Sequence, residues 1–332
     1  MNLALAPLDL SLLDRWQRDF PLLPRPFALL GSTLGLTEDE IIARIDALRA
    51  RDLISRVGAV VRPNTVGAST LAAMAVPPAQ LERVAARVNA EPAVNHNYER
   101  EHRLNLWFVV TAADRAGVAD ALARIEADTG LKVLDLPLER AYHIDLGFAL
   151  SGQSPAERPC RPGGAQIEPD GDDRALLSAL EDGLPLDPRP YAVLARRLGW
   201  VERDVIVRLA HLIDGGVISR FGLVVKHRSL GYRANAMAVW DVPDDDVDRV
   251  AAIFAGHAFV TLCYRRPRRR PHWPYNLFCM VHGRDRARVL AEIETLNRAA
   301  KAQGLPQAVL FSRHCFKQRG ARFAPAPSEA VA

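Results

Sequence analysis

The chain has 332 residues, of which 49% are hydrophobic and 25% are charged, and its formal net charge is +4. This composition is typical of a soluble globular protein with two or more domains, and no apolar run approaches the ~20 residues that a membrane-spanning helix requires. The small positive surplus does not by itself require a polyanionic partner.

The first predicted element is an amphipathic helix within MNLALAPLDLSLLDRW, residues 1–16. No basic region precedes its apolar residues, so the pattern is not that of a signal peptide. The cysteines are too scattered for a zinc site or a disulfide framework and favour a reducing cytoplasm. They are Cys160, Cys263, Cys279 and Cys315.

The sequence contains two related copies of one long segment. LISRVGAVV at 53–61 returns as VISRFGLVV at 217–225, and the helical stretches before these motifs share a pattern. The stretch NYEREHRLNLWFVV at 97–110 also has a counterpart, LCYRRPRRRPHWPYNLFCMV. A period of roughly 160 residues makes each copy domain-sized, and we call the copies repeat one and repeat two.

Each repeat begins with a helix-turn-helix pattern of the winged-helix kind. In repeat one the apolar residues of 38–50 lie on one face of a helix. Thr37 is its predicted N-cap, with Glu40 three residues later as in a capping box. A shorter helix precedes it across the STLG turn.

The second part of each repeat alternates between strands and helices. Repeat one has a strand at 70–77, a helix, two strands that meet near His102 and Leu104, another helix and a last strand at 132–144. That β-α-β-β-α-β order is the ferredoxin-like sandwich, so the predicted fold class is α+β.

The predicted boundaries follow from this order and from a segment rich in Pro, Gly and charge between the repeats. The domains are a helix-turn-helix (1–69), a ferredoxin-like domain (70–150), a linker (151–173), a second helix-turn-helix (174–233), a second ferredoxin-like domain (234–323) and a tail (324–332).

A helix-turn-helix followed by a ferredoxin-like domain resembles the Lrp/AsnC family of transcriptional regulators. A recognition helix needs basic, small or hydrogen-bonding residues near its start, but here carboxylates stand there. They are Glu38, Asp39 and Glu40 in repeat one, and Glu202 and Asp204 in repeat two. They stabilise a helix through its dipole, so DNA is not an expected partner. Two unlike copies in one chain also depart from the single-copy regulators and indicate a pseudo-dimer.

The hairpin between the central strands of repeat one carries the first candidate site. A period-two pattern puts six side chains on one face: Tyr98, Arg100, His102, Leu104, Leu106 and Phe108. The outgoing strand brings two more polar or aromatic side chains near them: Asn105 and Trp107. An imidazole beside a guanidinium and an aromatic wall is unusual for an ordinary core strand.

The equivalent connection of repeat two is rich in arginine and aromatic residues. Guanidinium groups bind carboxylates bidentately and aromatic rings cover an apolar plane, so a flat polyanionic ligand suits this segment. A solvated loop or phosphate contacts to nucleic acid stay open as alternatives. The candidate binding residues are Tyr264, Arg265, Arg266, Arg268, Arg269, Arg270, His272, Trp273 and Asn276.

YEREHRLNLWFV together with WPYNLFCMVHGRDR resembles the siroheme decarboxylase family, an enzymatic offshoot of Lrp/AsnC that acts in heme d1 biosynthesis and in the alternative heme pathway. Its members are separate related subunits or a fusion of two, and this chain resembles the fused form. The resemblance implies a carboxy-lyase that removes CO2 from two acetate side chains of siroheme to give 12,18-didecarboxysiroheme. It also implies siroheme as ligand, a homo-oligomer and related subunits as partners.

The resemblance also suggests roles for the residues. His102 is the expected general acid and Arg100 the anchor of the reacting carboxylate, with Tyr98 orienting either one. Asn105 and Trp107 are expected to line the pocket. The conjugated ring absorbs the electrons of the broken C–C bond, so no cofactor is expected.

Several alternatives remain open at this point. His102 could instead be an axial ligand of the substrate iron, and His272, one position out of register, could be a second acid. Two other functions also stay open: a heme-responsive DNA-binding regulator, and a tetrapyrrole-binding subunit without chemistry of its own.

Overall fold

The computed structural model describes residues 5–144, 147 and 167–320. Most of the predicted linker (151–166), the predicted tail (324–332) and Cys160 lie outside the described residues. The described chain forms two compact units: residues 5–66, 147 and 167–231 in the first, and residues 67–144 and 232–320 in the second. Each unit therefore combines like parts of the two repeats.

Secondary structure follows the predicted order closely. Repeat one contains α1 (Pro7–Arg15), α2 (Pro26–Leu34), α3 (Glu38–Ala50), β1 (Ile54–Val61), β2 (Ala68–Met74), α4 (Leu81–Ala90), β3 (Val94–Arg100), β4 (Leu106–Ala112), α5 (Arg115–Thr129), β5 (Leu134–Pro137) and β6 (Arg140–Ile144). Repeat two contains α6 (Gly171–Ala179), α7 (Pro190–Leu198), α8 (Glu202–Asp214), β7 (Ile218–Val225), β8 (Ala234–Trp240), α9 (Val247–Ala255), β9 (Val260–Arg265), β10 (Leu277–Gly283), α10 (Arg286–Ala300) and β11 (Gln307–Gln318).

The first unit holds the helix-turn-helix parts of both repeats, and β1 pairs antiparallel with β7 within it. The predicted cap of α3 is confirmed, since the Thr37 hydroxyl accepts from the Glu40 N–H and the Glu40 carboxylate accepts from the Thr37 N–H. The turns that precede α3 and α8 use Gly35 and Gly199 at φ of 70° and 71°. Only glycine adopts that left-handed conformation at little cost.

Carboxylates at the starts of α3 and α8 form equivalent ion pairs inside this unit. Glu38 accepts from Arg25, and Glu202 accepts from Arg189, in each case across the helix-turn-helix of its own repeat. These two carboxylates therefore have structural partners, as expected for charges at helix N-termini.

The second unit is built on one nine-stranded sheet in the order β5-β2-β4-β3-β11-β8-β10-β9-β6. Repeat one supplies the first four strands, repeat two the next four, and β6 of repeat one returns to the far edge. The strand predicted at 132–144 is in fact two strands, with β5 paired to β2 and β6 paired to β9 of repeat two. Pro137 has no N–H to continue the first ladder, and the chain crosses there to the other repeat.

Three apolar clusters stabilise this unit. Helices α4 and α5 cover the repeat-one strands, and helices α9 and α10 cover the repeat-two strands. A third group, the central cluster, contains residues of both repeats: Leu71, Ala73, Leu104, Trp107, Leu136, Met237, Val239, Trp273, Phe278, Met280 and Leu310. Only residues 138–139 separate β5 from β6, so the two edges of the sheet lie next to each other and the sheet curls around this cluster. Every helix within the described ranges is too short or too polar to span a bilayer.

Candidate active site

The hairpin of repeat one presents its side chains on both faces of the sheet. β3 ends at Arg100 and β4 begins at Leu106, with a five-residue turn between them. Tyr98 lies directly opposite Trp107, which belongs to the central cluster, and Arg100 contacts Met280 of that cluster.

Leu106 and Phe108 pack instead under the repeat-one helices. The prediction that these two residues share a face with Arg100 is therefore wrong. The turn resets the alternation of side chains, which a strict period of two cannot anticipate.

Two equivalent tyrosine–arginine pairs lie within the second unit. The Arg100 guanidinium lies over the Tyr98 ring at 5.7 Å, and that of Arg266 lies over the Tyr264 ring at 4.6 Å. Each arginine also reaches the other repeat: Arg100 donates to the carbonyl of Leu310 at 3.2 Å, and Arg266 to the carbonyl of Leu136 at 2.5 Å. The four residues predicted from the two hairpins thus occupy matching positions.

Both guanidinium groups are largely shielded from water. Arg100 is only 8% exposed, and burial lowers the pKa of Arg266 from its ordinary value. The Nε of Arg266 is buried and has no hydrogen-bond partner among the described residues. An N–H of a guanidinium that is buried without a hydrogen-bond partner costs free energy, so a carboxylate of a ligand would bind favourably there.

His102 lies half-buried in the turn between β3 and β4, against a residue of repeat two. Its ring meets the Trp273 ring edge-on, with centroids 5.5 Å apart. The Leu104 N–H donates to its Nδ1 at 3.0 Å, so the neutral ring carries its proton on Nε2. Burial, followed by the charge of Arg103, lowers the pKa of His102 below its ordinary 6.5. The free protein therefore favours the neutral ring.

This lowered pKa predicts a pH dependence of stability. At pH values between the folded and unfolded pKa of His102, the unfolded chain binds more protons, so folding stability falls as the pH drops through about 6.5. His102→Gln cannot titrate and is expected to lose less stability than the wild type between about pH 8 and about pH 5. Urea unfolding at both pH values measures this, and an unchanged pH dependence in the variant contradicts it.

Trp107 and Trp273 are core residues that support the hairpins. They are 1% and 0% exposed, and their rings meet at 5.0 Å. Trp107 donates from Nε1 to the carbonyl of Leu104, which shapes the turn that carries His102. Trp273 also contacts Tyr275 and Phe278, so a continuous aromatic path joins His102 to the Tyr264–Arg266 pair.

Asn105 and Asn276 occupy equivalent positions and bind backbone. Asn105 exchanges two hydrogen bonds of 2.9 Å with the N–H and carbonyl of Val76. Asn276 does the same with Val242, at 2.9 and 3.0 Å. These contacts account for both asparagines as braces between the strand ends, without a ligand.

Most of the repeat-two arginines are held by groups that the sequence prediction did not include. Arg268 donates to Asp241 at 2.6 Å and to Asp244 at 2.8 Å, and Arg270 donates to Asp241 at 3.0 Å. Arg265 donates to Glu139 and Asp244, and Arg269 donates to the carbonyl of Asp135. The carboxylate run of WDVPDDD at 240–246 was the sequence signal for two of these partners, Asp241 and Asp244. The imidazole of His272 is exposed, and its carbonyl accepts from Arg103 at 2.8 Å.

Another contact that the sequence did not reveal anchors the hairpin of repeat one. The Glu101 carboxylate, next to His102, accepts two hydrogen bonds from Arg286 of repeat two, at 2.9 and 2.7 Å. The Arg286 guanidinium also lies 3.9 Å from the centre of the Phe311 ring. This bidentate pair holds the pKa of Glu101 below its ordinary value. Within the described ranges, no group of three or more His, Cys, Asp or Glu side chains is arranged to hold a metal ion.

Comparisons with known proteins agree with the two-repeat architecture. The family described as the AsnC-like ligand binding domain matches residues 66–143 and 229–317, and the siroheme decarboxylase NirDL-like HTH domain matches residues 9–54 and 173–218. The siroheme decarboxylase NirDL subunit of Paracoccus denitrificans (strain Pd 1222) is 48% identical over 96% of this chain and 97% of its own length. The siroheme decarboxylase NirL subunit of Stutzerimonas stutzeri is 51% identical over 47% of this chain and 92% of its own length.

A solved structure shares the whole fold. The crystal structure of the siroheme decarboxylase NirDL in complex with an iron-uroporphyrin III analogue superposes with a TM-score of 0.67 at 28% identity. The match covers 95% of this chain and 93% of that one.

Proposed function

Because the chain belongs to the siroheme decarboxylase NirDL family, we propose that it removes CO2 from acetate side chains of siroheme. Support comes from the equivalent Tyr98–Arg100 and Tyr264–Arg266 pairs, the second of which the aromatic path connects to His102. A tetrapyrrole edged with carboxylates needs both cationic and aromatic contacts, and these hairpins supply them.

The chemistry that we propose needs a proton and fixed geometry. As the bond between the acetate methylene and its carboxylate breaks, CO2 leaves and the electron pair passes into the conjugated macrocycle. A proton then reaches the methylene carbon, which becomes a methyl group. Arg100 and Arg266 would fix carboxylates of the substrate, and His102 would supply the proton from Nε2.

The lowered pKa of His102 fits this role when substrate is present. In the free protein the ring is largely neutral, because burial and Arg103 disfavour its charge. Carboxylates placed beside the ring favour the protonated form and so raise its pKa. Substrate binding would therefore protonate the imidazole that acts as general acid. The order of the two decarboxylations would depend on which acetate lies at His102.

The direct test is a single anaerobic incubation of the purified protein with siroheme, followed by mass spectrometry of the pigment. We expect loss of one and then two CO2 units. Pigment that stays intact while it is bound would instead indicate a tetrapyrrole-binding subunit without chemistry. Salt-sensitive binding to its own promoter DNA would indicate a regulator.

We also propose related chains as partners and the cytoplasm as location. The Paracoccus and Stutzerimonas relatives are each named as subunits, which favours assembly with further copies or related subunits. Cys263 and Cys279 are free, buried thiols, as is usual in a reducing compartment. Light scattering with and without a purified related subunit measures the assembly.

Arg286 is expected to position the hairpin from the other repeat. Arg286→Lys loses the bidentate grip on Glu101 but keeps the charge, so we expect kcat to fall roughly tenfold with KM little changed. Arg288→Lys is the matched control, because Arg288 lies on the same helix and its guanidinium pairs with Glu292 instead of with the hairpin. Equal kcat values for the two variants would show that Arg286 does not position the hairpin for the reaction.

A further inference from the structure

We call a place where a strand of one repeat pairs with a strand of the other in this sheet a crossing. The pairing has the same register at the β3–β11 crossing and at the β9–β6 crossing. At the first crossing, where β3 meets β11, Tyr98 lies opposite Cys315. At the second crossing, where β9 meets β6, Tyr264 lies opposite Ala141. Both pairings have a bulge after this point, so the two crossings are related by a pseudo-twofold axis.

Equivalent positions at the crossings carry opposite charges. Glu99 of repeat one corresponds to Arg265 of repeat two, and Glu139 of repeat one corresponds to Arg313 of repeat two. Glu99 pairs with Arg313 at 3.7 Å, and Arg265 pairs with Glu139 at 3.0 Å. Repeat one thus supplies the negatively charged side chain at both crossings, and repeat two supplies the positively charged one.

Neighbouring charges follow the same rule at the first crossing. Glu101 of repeat one accepts from Arg286 at 2.7 Å and lies 3.7 Å from Arg313, both in repeat two. A pair of the reverse polarity, Arg140 with Asp248, connects β6 to α9 at the second crossing. Glu82 on α4 of repeat one is equivalent to Asp248 on α9 of repeat two. Arg140 would therefore meet a carboxylate next to either repeat, and it does not discriminate between a like and an unlike partner.

We propose that this charge arrangement selects the partner: each repeat pairs with an unlike repeat and rejects a like one. If two copies of repeat one exchanged strands, Glu99 would meet Glu139 at both crossings. If two copies of repeat two did so, Arg265 would meet Arg313 at both. The surface around β3, β6, β9 and β11 is therefore an interface for an unlike repeat, from this chain or from another copy of it, whatever reaction the site performs.

Each pair alone is weak, since these side chains are partly exposed and such ion pairs contribute little. The discrimination comes from the difference between attraction and repulsion, counted at two crossings. A set of variants that combines the same substitutions in different pairs can separate that difference from the effects of the individual substitutions.

Four double variants of the full chain form such a design, and all keep the wild-type net charge. Two preserve opposite charges at every crossing: Glu139→Arg with Arg265→Glu, and Glu99→Arg with Arg313→Glu. Two place like charges at both crossings: Glu139→Arg with Arg313→Glu, and Glu99→Arg with Arg265→Glu. Every substitution occurs once in each set, so additive effects cancel.

We expect the like-charged set to have a folding equilibrium constant roughly tenfold lower on average than the opposite-charged set, measured by urea unfolding at low salt. The difference should shrink in about 1 M NaCl, where charges are screened beyond roughly 3 Å. Light scattering should show a larger fraction of doubled-mass species for the like-charged set, because exchange with a second copy restores opposite charges. A variant that does not fold counts as the lowest stability in its set. Equal average stability and equal mass distributions for the two sets would overturn the proposal.

Discussion

Replacing His102 with alanine is expected to lower siroheme turnover by roughly 100- to 10,000-fold, the usual contribution of a general acid. Binding should survive, because the carboxylates of the substrate are expected on Arg100 and Arg266 rather than on the imidazole. Anaerobic turnover followed by chromatography gives the rate, and the absorbance of the bound pigment gives the affinity.

A matched control separates this effect from a general loss of structure. His257→Ala makes the same substitution in the second unit, at a histidine whose ring contacts Phe259 away from the hairpins. It should turn over siroheme at the wild-type rate. Full turnover by His102→Ala would exclude His102 as the acid, and loss of an iron–imidazole signature in its pigment spectrum would indicate axial ligation instead.

Trp273→Ala should cause the largest loss of stability of any single change considered for the site, about 3–5 kcal/mol in the free energy of unfolding. The side chain is fully buried in the central cluster, and its ring contacts Trp107, Tyr275, Phe278 and the ring of His102. Removing it leaves a cavity between strands of both repeats and takes away the wall behind His102. Turnover by the folded fraction should therefore also fall.

Trp273→Phe is the informative comparison. The indole Nε1 has no hydrogen-bond partner among the described residues, so a phenyl ring loses volume without leaving a new polar group unpaired. We expect phenylalanine to keep most of the stability that alanine loses, as measured by urea unfolding. An alanine variant that unfolds at the wild-type midpoint would show that the ring does not support the core.

The sequence predicted much of the fold because its signals are local and occur twice. Thr37 and Glu40 indicate a capping box within four residues, and the α+β order of elements follows from short-range periodicity of apolar residues. The return of β6 to the far edge was missed, because pairing with either repeat satisfies the same alternation of side chains. Only Pro137 marked the place where the first ladder stops.

The candidate site was predicted in part for the same reason. Tyr98, Arg100 and His102 stand out against an apolar strand, and the repeat points to Tyr264 and Arg266 as counterparts. Their roles in binding and catalysis stay predictions.

Contacts between distant segments could not be read from the sequence. Asp241 lies 27 residues before Arg268, and Arg286 lies 185 residues after Glu101. Trp273 was predicted as a binding residue, and nothing in the sequence indicated that the curled sheet encloses it in the central cluster.

The most direct test of the account is a crystal structure of the protein with siroheme bound, prepared without oxygen. We expect ring carboxylates within hydrogen-bond distance of the Arg100 and Arg266 guanidinium groups, and an acetate methylene facing Nε2 of His102. A pigment bound away from these hairpins, or a His102 ring turned from it towards bulk water, would contradict the account.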